Sequence, residues 1–165
     1  MIFNAKKHNS DLYITLLTLS RNIFFYEKMK LKDCFETRVY LMFMHFSIMM
    51  IIFKKKKVKF DQNNYDSLFF NIENNLRELG FGDVSVNKKM KELNKLLYDI
   101  LLKIENKSQD TFKINEKLIF KYFNDFDSPK RAKYKDFENY FINFYNFCFE
   151  LPLKIMVRDT IKFKN

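Results

Sequence analysis

An all-α fold, a single compact domain of about six helices, is what this sequence predicts. Three observations point there. The 165 residues include only two glycines and two prolines, whereas sandwiches and barrels need many such residues in their tight turns. Apolar residues recur at steps of three and four along most of the chain, the spacing of one helical face. Hydrophobic residues make up 47% of the chain, with 21 Phe and no Trp, enough to bury a core without a metal or a disulfide framework.

The elements follow in order. Asp11 to Tyr26 reads as a first helix, with Asp11 at its N-cap and Leu12, Leu16, Leu19 and Ile23 on one face. Lys28 to Asp33 is a polar break. Val39 to Phe53 is the most apolar stretch, bounded by Arg38 and by Lys54, Lys55, Lys56 and Lys57. It is shorter than the roughly 20 apolar residues a membrane span needs, and it contains His45. It reads as a central helix buried on all sides, with a membrane segment as the alternative, since a lysine cluster just after an apolar run is what a cytoplasmic anchor looks like. A third helix runs from about Asn64 to Leu79, with Tyr65, Leu68, Phe69, Ile72, Leu76 and Leu79 as its stripe. With Leu79 as C-cap, Gly80 takes the left-handed position and Phe81 packs back on Leu76 in a Schellman arrangement. Ser85 or Asp83 caps a fourth helix carrying Val86, Met90, Leu93, Leu97, Ile100 and Ile104 on one face. After a polar loop, Asn106 to Asp110, a fifth helix carries Ile114, Leu118, Ile119, Tyr122 and Phe123. A break at Asp125 to Lys130 precedes an aromatic sixth helix, with Phe137, Tyr140, Phe141, Phe144, Tyr145 and Cys148, that stops at Pro152. The domain is taken as residues 1–165, its core as about 11–151; the basic tail, 153–165, has no assigned structure.

Charge narrows the function less than it narrows the surface. The formal net charge is +10, almost all from lysine, and suits either an anionic partner or drift in an AT-rich coding sequence. The Lys54–Lys57 run must face solvent or an anion, because burying four unpaired ammonium groups is prohibitive. It reads as a solvated turn, or as a contact to an anionic membrane or ribosomal RNA. Met1 to His8 has neither the apolar region of a secretory signal nor the character of a transit peptide, so a cytoplasmic, bacterial-type protein is expected.

Catalytic and metal chemistry find little to work with. The two His and two Cys are scattered, with no short-spaced ligand pair. Cys34, Cys148 and His45 read as structural; a Cys–His nucleophile pair would have to meet in space with nothing to orient it. The two glycines form no phosphate-cradling loop. No cofactor, no metal, no small-molecule substrate and no enzymatic activity are therefore expected.

Two clusters stand apart from core patterning. One comprises Phe25-Tyr26, then Asp33 and Arg38, then His45. The other is Leu76 to Lys89, which places both glycines of the chain, Gly80 and Gly82, within three residues. A helix stop needs one glycine. Two describe either a plain helix–helix corner or an exposed, tightly turned docking surface.

At these clusters the sequence resembles the ubiquinol–cytochrome c chaperone family. The family pattern of a Tyr, an Asp, a Phe-acidic-small-Arg run and a His in an apolar helix reads here as Tyr26, Asp33, Phe35-Glu36-Thr37-Arg38 and His45. Its second signature reads Gly80-Phe81-Gly82-Asp83-Val84-Ser85-Val86, followed by Lys88 and Lys89. The resemblance covers roughly Leu12 to Ile104. The chain departs from the pattern at Lys30-Leu31-Lys32, where the family has Gly-Val-Pro. It departs again at Cys34 for Thr, at Thr37 for Gly and at Asn87 for Gly. The resemblance implies an all-helical chaperone that binds newly made cytochrome b and promotes assembly of the cytochrome bc1 complex. Its partners would be cytochrome b or other bc1 subunits, with a small helper protein and the ribosome, at the cytoplasmic face of the bacterial inner membrane. The implied partner-binding set is Tyr26, Asp33, Arg38, His45, Arg77, Gly80, Gly82, Asp83, Lys88 and Lys89. A basic nucleic-acid- or ribosome-binding domain is the alternative.

Overall fold

The computed structural model describes residues 10–104, 112–123 and 131–165. The expected loops at Asn106–Asp110 and Asp125–Lys130, and the N-terminal Met1–His8, lie outside the described residues. The only regular secondary structure of the described residues is helical, with no strand among them. Seven α-helices are present: α1 (Asp11–Ser20), α2 (Phe35–Lys55), α3 (Gln62–Glu78), α4 (Asp83–Ile104), α5 (Glu116–Tyr122), α6 (Arg131–Glu150) and α7 (Leu153–Asp159). Their buried side chains join in one hydrophobic cluster.

The central helix is α2. From Leu41 to Met49 every side chain is buried, against α1, α4, α6 and α7. It is long and apolar enough to cross a membrane by length and composition, but it is wrapped by protein, as expected of a core helix. Its start lies beside the first half of α4, where Phe35 and Tyr40 face Lys89 and Leu93. Its end lies beside the last turns of α4, where Ile51 faces Leu101 and Leu102. The two helices therefore run side by side in the same direction.

Local chemistry accounts for most boundaries. Ser10 caps α1, its hydroxyl accepting from the Tyr13 N–H at 3.2 Å, so Asp11 is the first helical residue and not the cap. Asp61 caps α3 through the N–H groups of Asn63 and Asn64, and Asn115 caps α5. At α4 neither Ser85 nor Asp83 precedes the helix. Asp83 is its first residue, and the Gly82 carbonyl accepts from the Val86 N–H at 2.9 Å.

Helix α1 is shorter than its apolar stripe. It stops at Ser20, and Phe24–Lys28 forms a turn of π-helix. Asn22 makes the break, its side-chain oxygen accepting from the Phe24 N–H at 3.0 Å, a local bond that competes with helix continuation. The re-aimed turn sends Phe25 into the core and leaves Ile23, expected on the buried face, 66% exposed. The polar break that follows is anchored by two buried apolar residues, Met29 and Leu31.

The tail is structured. Beyond Pro152, α7 and a 3-10 turn over Thr160–Lys162 fold back, and the Phe163 ring packs edge-on to Tyr140 and Phe144. Cys148 is buried as expected; Cys34 is only partly buried, at the start of α2.

Candidate partner-binding site

The corner between α3 and α4 is built by backbone bonds. Leu79 is the C-cap of α3 and Gly80 has φ of 94°, a conformation that costs an L-residue strain. The Phe81 N–H reaches the Leu76 carbonyl at 3.3 Å, and the Gly80 N–H reaches that of Arg77 at 3.0 Å. These two bonds define the expected Schellman motif. Gly82 is different: its φ is not left-handed, and an added Cβ would meet nothing within 4 Å. The fold does not require that glycine.

Arg77 clips the corner together. Its guanidinium binds Asp83 at the start of α4 and Glu73 one turn back on α3, the latter at 3.1 Å. Asp83 thus serves as an ion-pair partner rather than as a cap. Above this clip the corner exposes apolar side chains: Leu79, Phe81 and Val84, the last 85% exposed. Leu79 was expected on the buried stripe of α3. As the C-cap it lies past the last helical residue, where the chain turns into the corner, and is 55% exposed. The Lys89 ammonium lies 4.8 Å from the Phe81 ring centre, a cation–π contact, and Lys88 stands exposed beside it.

The second cluster flanks the first. Asp33 and Arg38 pair at 3.5 Å, and the Arg38 Nε also meets the Cys34 carbonyl at 3.5 Å. The Tyr26 hydroxyl donates to the Ser20 carbonyl at 2.7 Å. Burial, reinforced by the Asp33 carboxylate, pushes its pKa up to about 12. Tyr13 links the clusters: burial raises its pKa, and Arg21, Glu78 of α3 and Arg38 of α2 all act on its hydroxyl. Between the start of α2 and the middle of α4 lies a groove of about 230 Å³ lined by Phe35, Glu36, Tyr40, Lys89, Glu92, Leu93 and Leu96. Lys89 belongs to both groove and corner.

His45 is a correction to the surface set. It is fully buried, ringed by Phe25, Tyr140, Phe141 and Phe144. Nδ1 lies 2.7 Å from the Leu41 carbonyl and Nε2 lies 2.9 Å from the Tyr140 hydroxyl. A carbonyl only accepts, so Nδ1 carries the proton and Nε2 accepts from Tyr140. Desolvation lowers its pKa to about 4, against a smaller opposing effect of the Leu41 bond. The imidazole is a neutral core group. With both nitrogens engaged it has none to activate Cys34, whose thiol contacts Thr37 instead.

The lysine run is also divided. Lys55 donates to the Tyr145 hydroxyl at 3.0 Å, and Lys56 donates to the Phe149 and Leu151 carbonyls at 2.6 and 3.3 Å. Both reach the end of α6, where unpaired carbonyls and the helix dipole attract cations. Lys54–Lys57 is therefore not four solvated ammonium groups. Lys57 terminates α2 with φ of 57°, and Lys30 shares that value. Lys30 is thus a non-glycine residue in the left-handed region and bears its strain. Lys30→Gly should raise the unfolding free energy by about 0.5–1 kcal/mol in urea titration, the relief exceeding the added chain entropy. No change would mean that the turn relaxes in solution.

Among the described residues no group of three or more His, Cys, Asp and Glu is placed to hold a metal ion. The profile of the family described as Ubiquinol-cytochrome C chaperone matches residues 27–118. The chain belongs to that family. The matched segment takes in Asp33, Arg38, His45 and the whole corner, and begins one residue after Tyr26. Parallel comparisons found no matching curated protein and no matching solved structure. Membership gives this member of the ubiquinol–cytochrome c chaperones a general role in assembling the bc1 complex. What sequence reasoning missed is the apolar part of the corner. Val84 carried one weak signal, an apolar residue off the stripe of α4; Leu79 carried none.

Proposed function

We propose that this protein is an assembly chaperone that binds newly made cytochrome b and promotes its entry into the bc1 complex, respiratory complex III. The observation that carries the reading is the exposed apolar corner, Leu79, Phe81 and Val84, beside Arg77, Lys88 and Lys89. It lies within the segment matched by the family. An unassembled membrane subunit offers apolar surface that must be covered until its partners arrive, and an exposed apolar knuckle next to Lys88 and Lys89 fits such a client. Glycine at position 82, where the fold tolerates a side chain, lets a client backbone approach closely. A small helper protein, the ribosome, and a peripheral position at the cytoplasmic face of the inner membrane belong to the same proposal.

Deletion of the gene should selectively lower cytochrome b and bc1 subunits, read by reduced-minus-oxidised heme spectra and immunoblots of membranes. Complementation with the wild-type chain should restore them. Val84→Asp and Gly82→Val should each fail to restore them by a wide margin while retaining wild-type helicity, since both sites are solvent-facing. Full rescue by both variants would remove the corner from the site. Normal bc1 content in the deletion strain would overturn the function. Salt-sensitive RNA binding by the purified chain, with bc1 intact, would then favour the nucleic-acid reading.

A further inference from the structure

We propose that a second surface, at the opposite end of α4 from the corner, seats the protein on an anionic phospholipid bilayer. A groove of about 390 Å³ opens between the end of α2 and the end of α4, walled by Met50, Ile51, Phe53, Phe60 and Leu101. Its lips carry exposed apolar side chains: Leu102 is 77% exposed, Tyr98 59% and Val58 46%. Tyr98 and Leu102 are one helical turn apart and share a face of α4. Tyr98 turns its hydroxyl toward Tyr65 and leaves its ring outward.

Charge identifies the occupant. Lys59 lines the groove, Lys57 is exposed beside Val58, and among the described residues none that lines the groove is acidic. The nearest carboxylate along α4, Asp99, is held by Lys103 at 2.7 Å, by Lys121 at 2.8 Å and by the Tyr122 hydroxyl. Its charge is already matched. An apolar lip bearing a tyrosine, with Lys57 and Lys59 at its border, is the chemistry that settles at a bilayer interface, with aliphatic groups below the headgroups and ammonium groups at phosphate level. This surface differs from the lysine run taken whole, since Lys55 and Lys56 are tied to α6. Val84 and Leu102 are separated along α4 by roughly 27 Å at about 1.5 Å per residue. The corner can therefore stay free while the other end rests on lipid.

The inference refines the membrane-side position proposed above and is independent of the client's identity. The test is co-sedimentation of the full-length chain with vesicles of phosphatidylglycerol and phosphatidylcholine, against phosphatidylcholine alone. Binding should need the anionic lipid. Lys57→Gln and Lys59→Gln should each weaken it about fivefold, and Leu102→Asp on the order of tenfold or more. Some binding should survive high salt because the apolar lip inserts. Val84→Asp should bind vesicles like the wild type, so failure of this inference and failure of the cytochrome b reading are separable. No binding to anionic vesicles, equal binding by Leu102→Asp, or full release by salt would each overturn it.

Discussion

Replacing Phe25 by alanine is expected to lower the unfolding free energy by about 3–5 kcal/mol. The ring is completely buried. It meets Tyr140 at 4.6 Å, His45 at 5.9 Å, and Phe137 and Phe141 each at 6.0 Å between centres. Truncation removes the apolar area and leaves a cavity whose walls are stiff aromatic rings on α2 and α6, poorly able to collapse. A domain of this size holds only about 5–15 kcal/mol in total, so this change takes a large share. Ile23→Ala, two residues away and exposed, should cost no more than about 0.5 kcal/mol. Urea titration of both variants decides the matter. A loss below about 1 kcal/mol for Phe25→Ala would mean that the π-helical turn is not docked in the core.

Acidification supplies the second large effect. The His45 pKa is about 4 in the folded chain and about 6.5 when unfolded. Between those values the unfolded state takes up a proton that the folded state refuses, so stability falls as pH falls from about 6.5 to about 4. The full contribution is about 3 kcal/mol, of which roughly 2 kcal/mol should be lost between about pH 7 and about pH 5. Asp99 acts in a different window. Burial alone would raise its pKa, but hydrogen bonds from Lys103, Lys121 and Tyr122 together hold it well below the usual carboxylate range. Its stabilisation is present above that range and is lost only in stronger acid. His45→Gln keeps polar atoms near Leu41 and Tyr140 without a titrating ring, and should flatten the stability profile above about pH 5. An identical pH 7 to pH 5 loss in wild type and variant would refute the assignment.

Both predictions concern residues whose place the sequence could not give in full. Periodicity was enough for the long helices α2, α3, α4 and α6 and for most buried faces, but not for the π-helical turn after α1 or for α7. Val86, Leu97, Ile100 and Ile104 of α4, and Phe137, Tyr140, Phe141 and Phe144 of α6, are all buried as the spacing predicts. The Schellman corner was legible too, because a left-handed residue at a helix end calls for glycine and Gly80 is there. These are local properties, set by residues three to six apart.

What only tertiary structure decided are the pairings between distant residues. His45 meets Tyr140 across 95 positions, and Lys56 meets Phe149 and Leu151 across 93 and 95. No local pattern encodes which helix end will stand opposite a lysine, or which hydroxyl will satisfy a buried imidazole. The same holds for exposure. Leu79 and Leu102 are apolar residues of amphipathic helices, like their buried neighbours. They stay outside while Val86, Ile100 and Ile104 of α4 are buried, because the docking of α2, α3 and α5 on α4 decides which of its faces is covered. The sequence by itself determined the long helices, the corner and the family; packing determined where α1 breaks, that the tail folds back, which lysines are spent within the fold and which apolar side chains remain available to a partner.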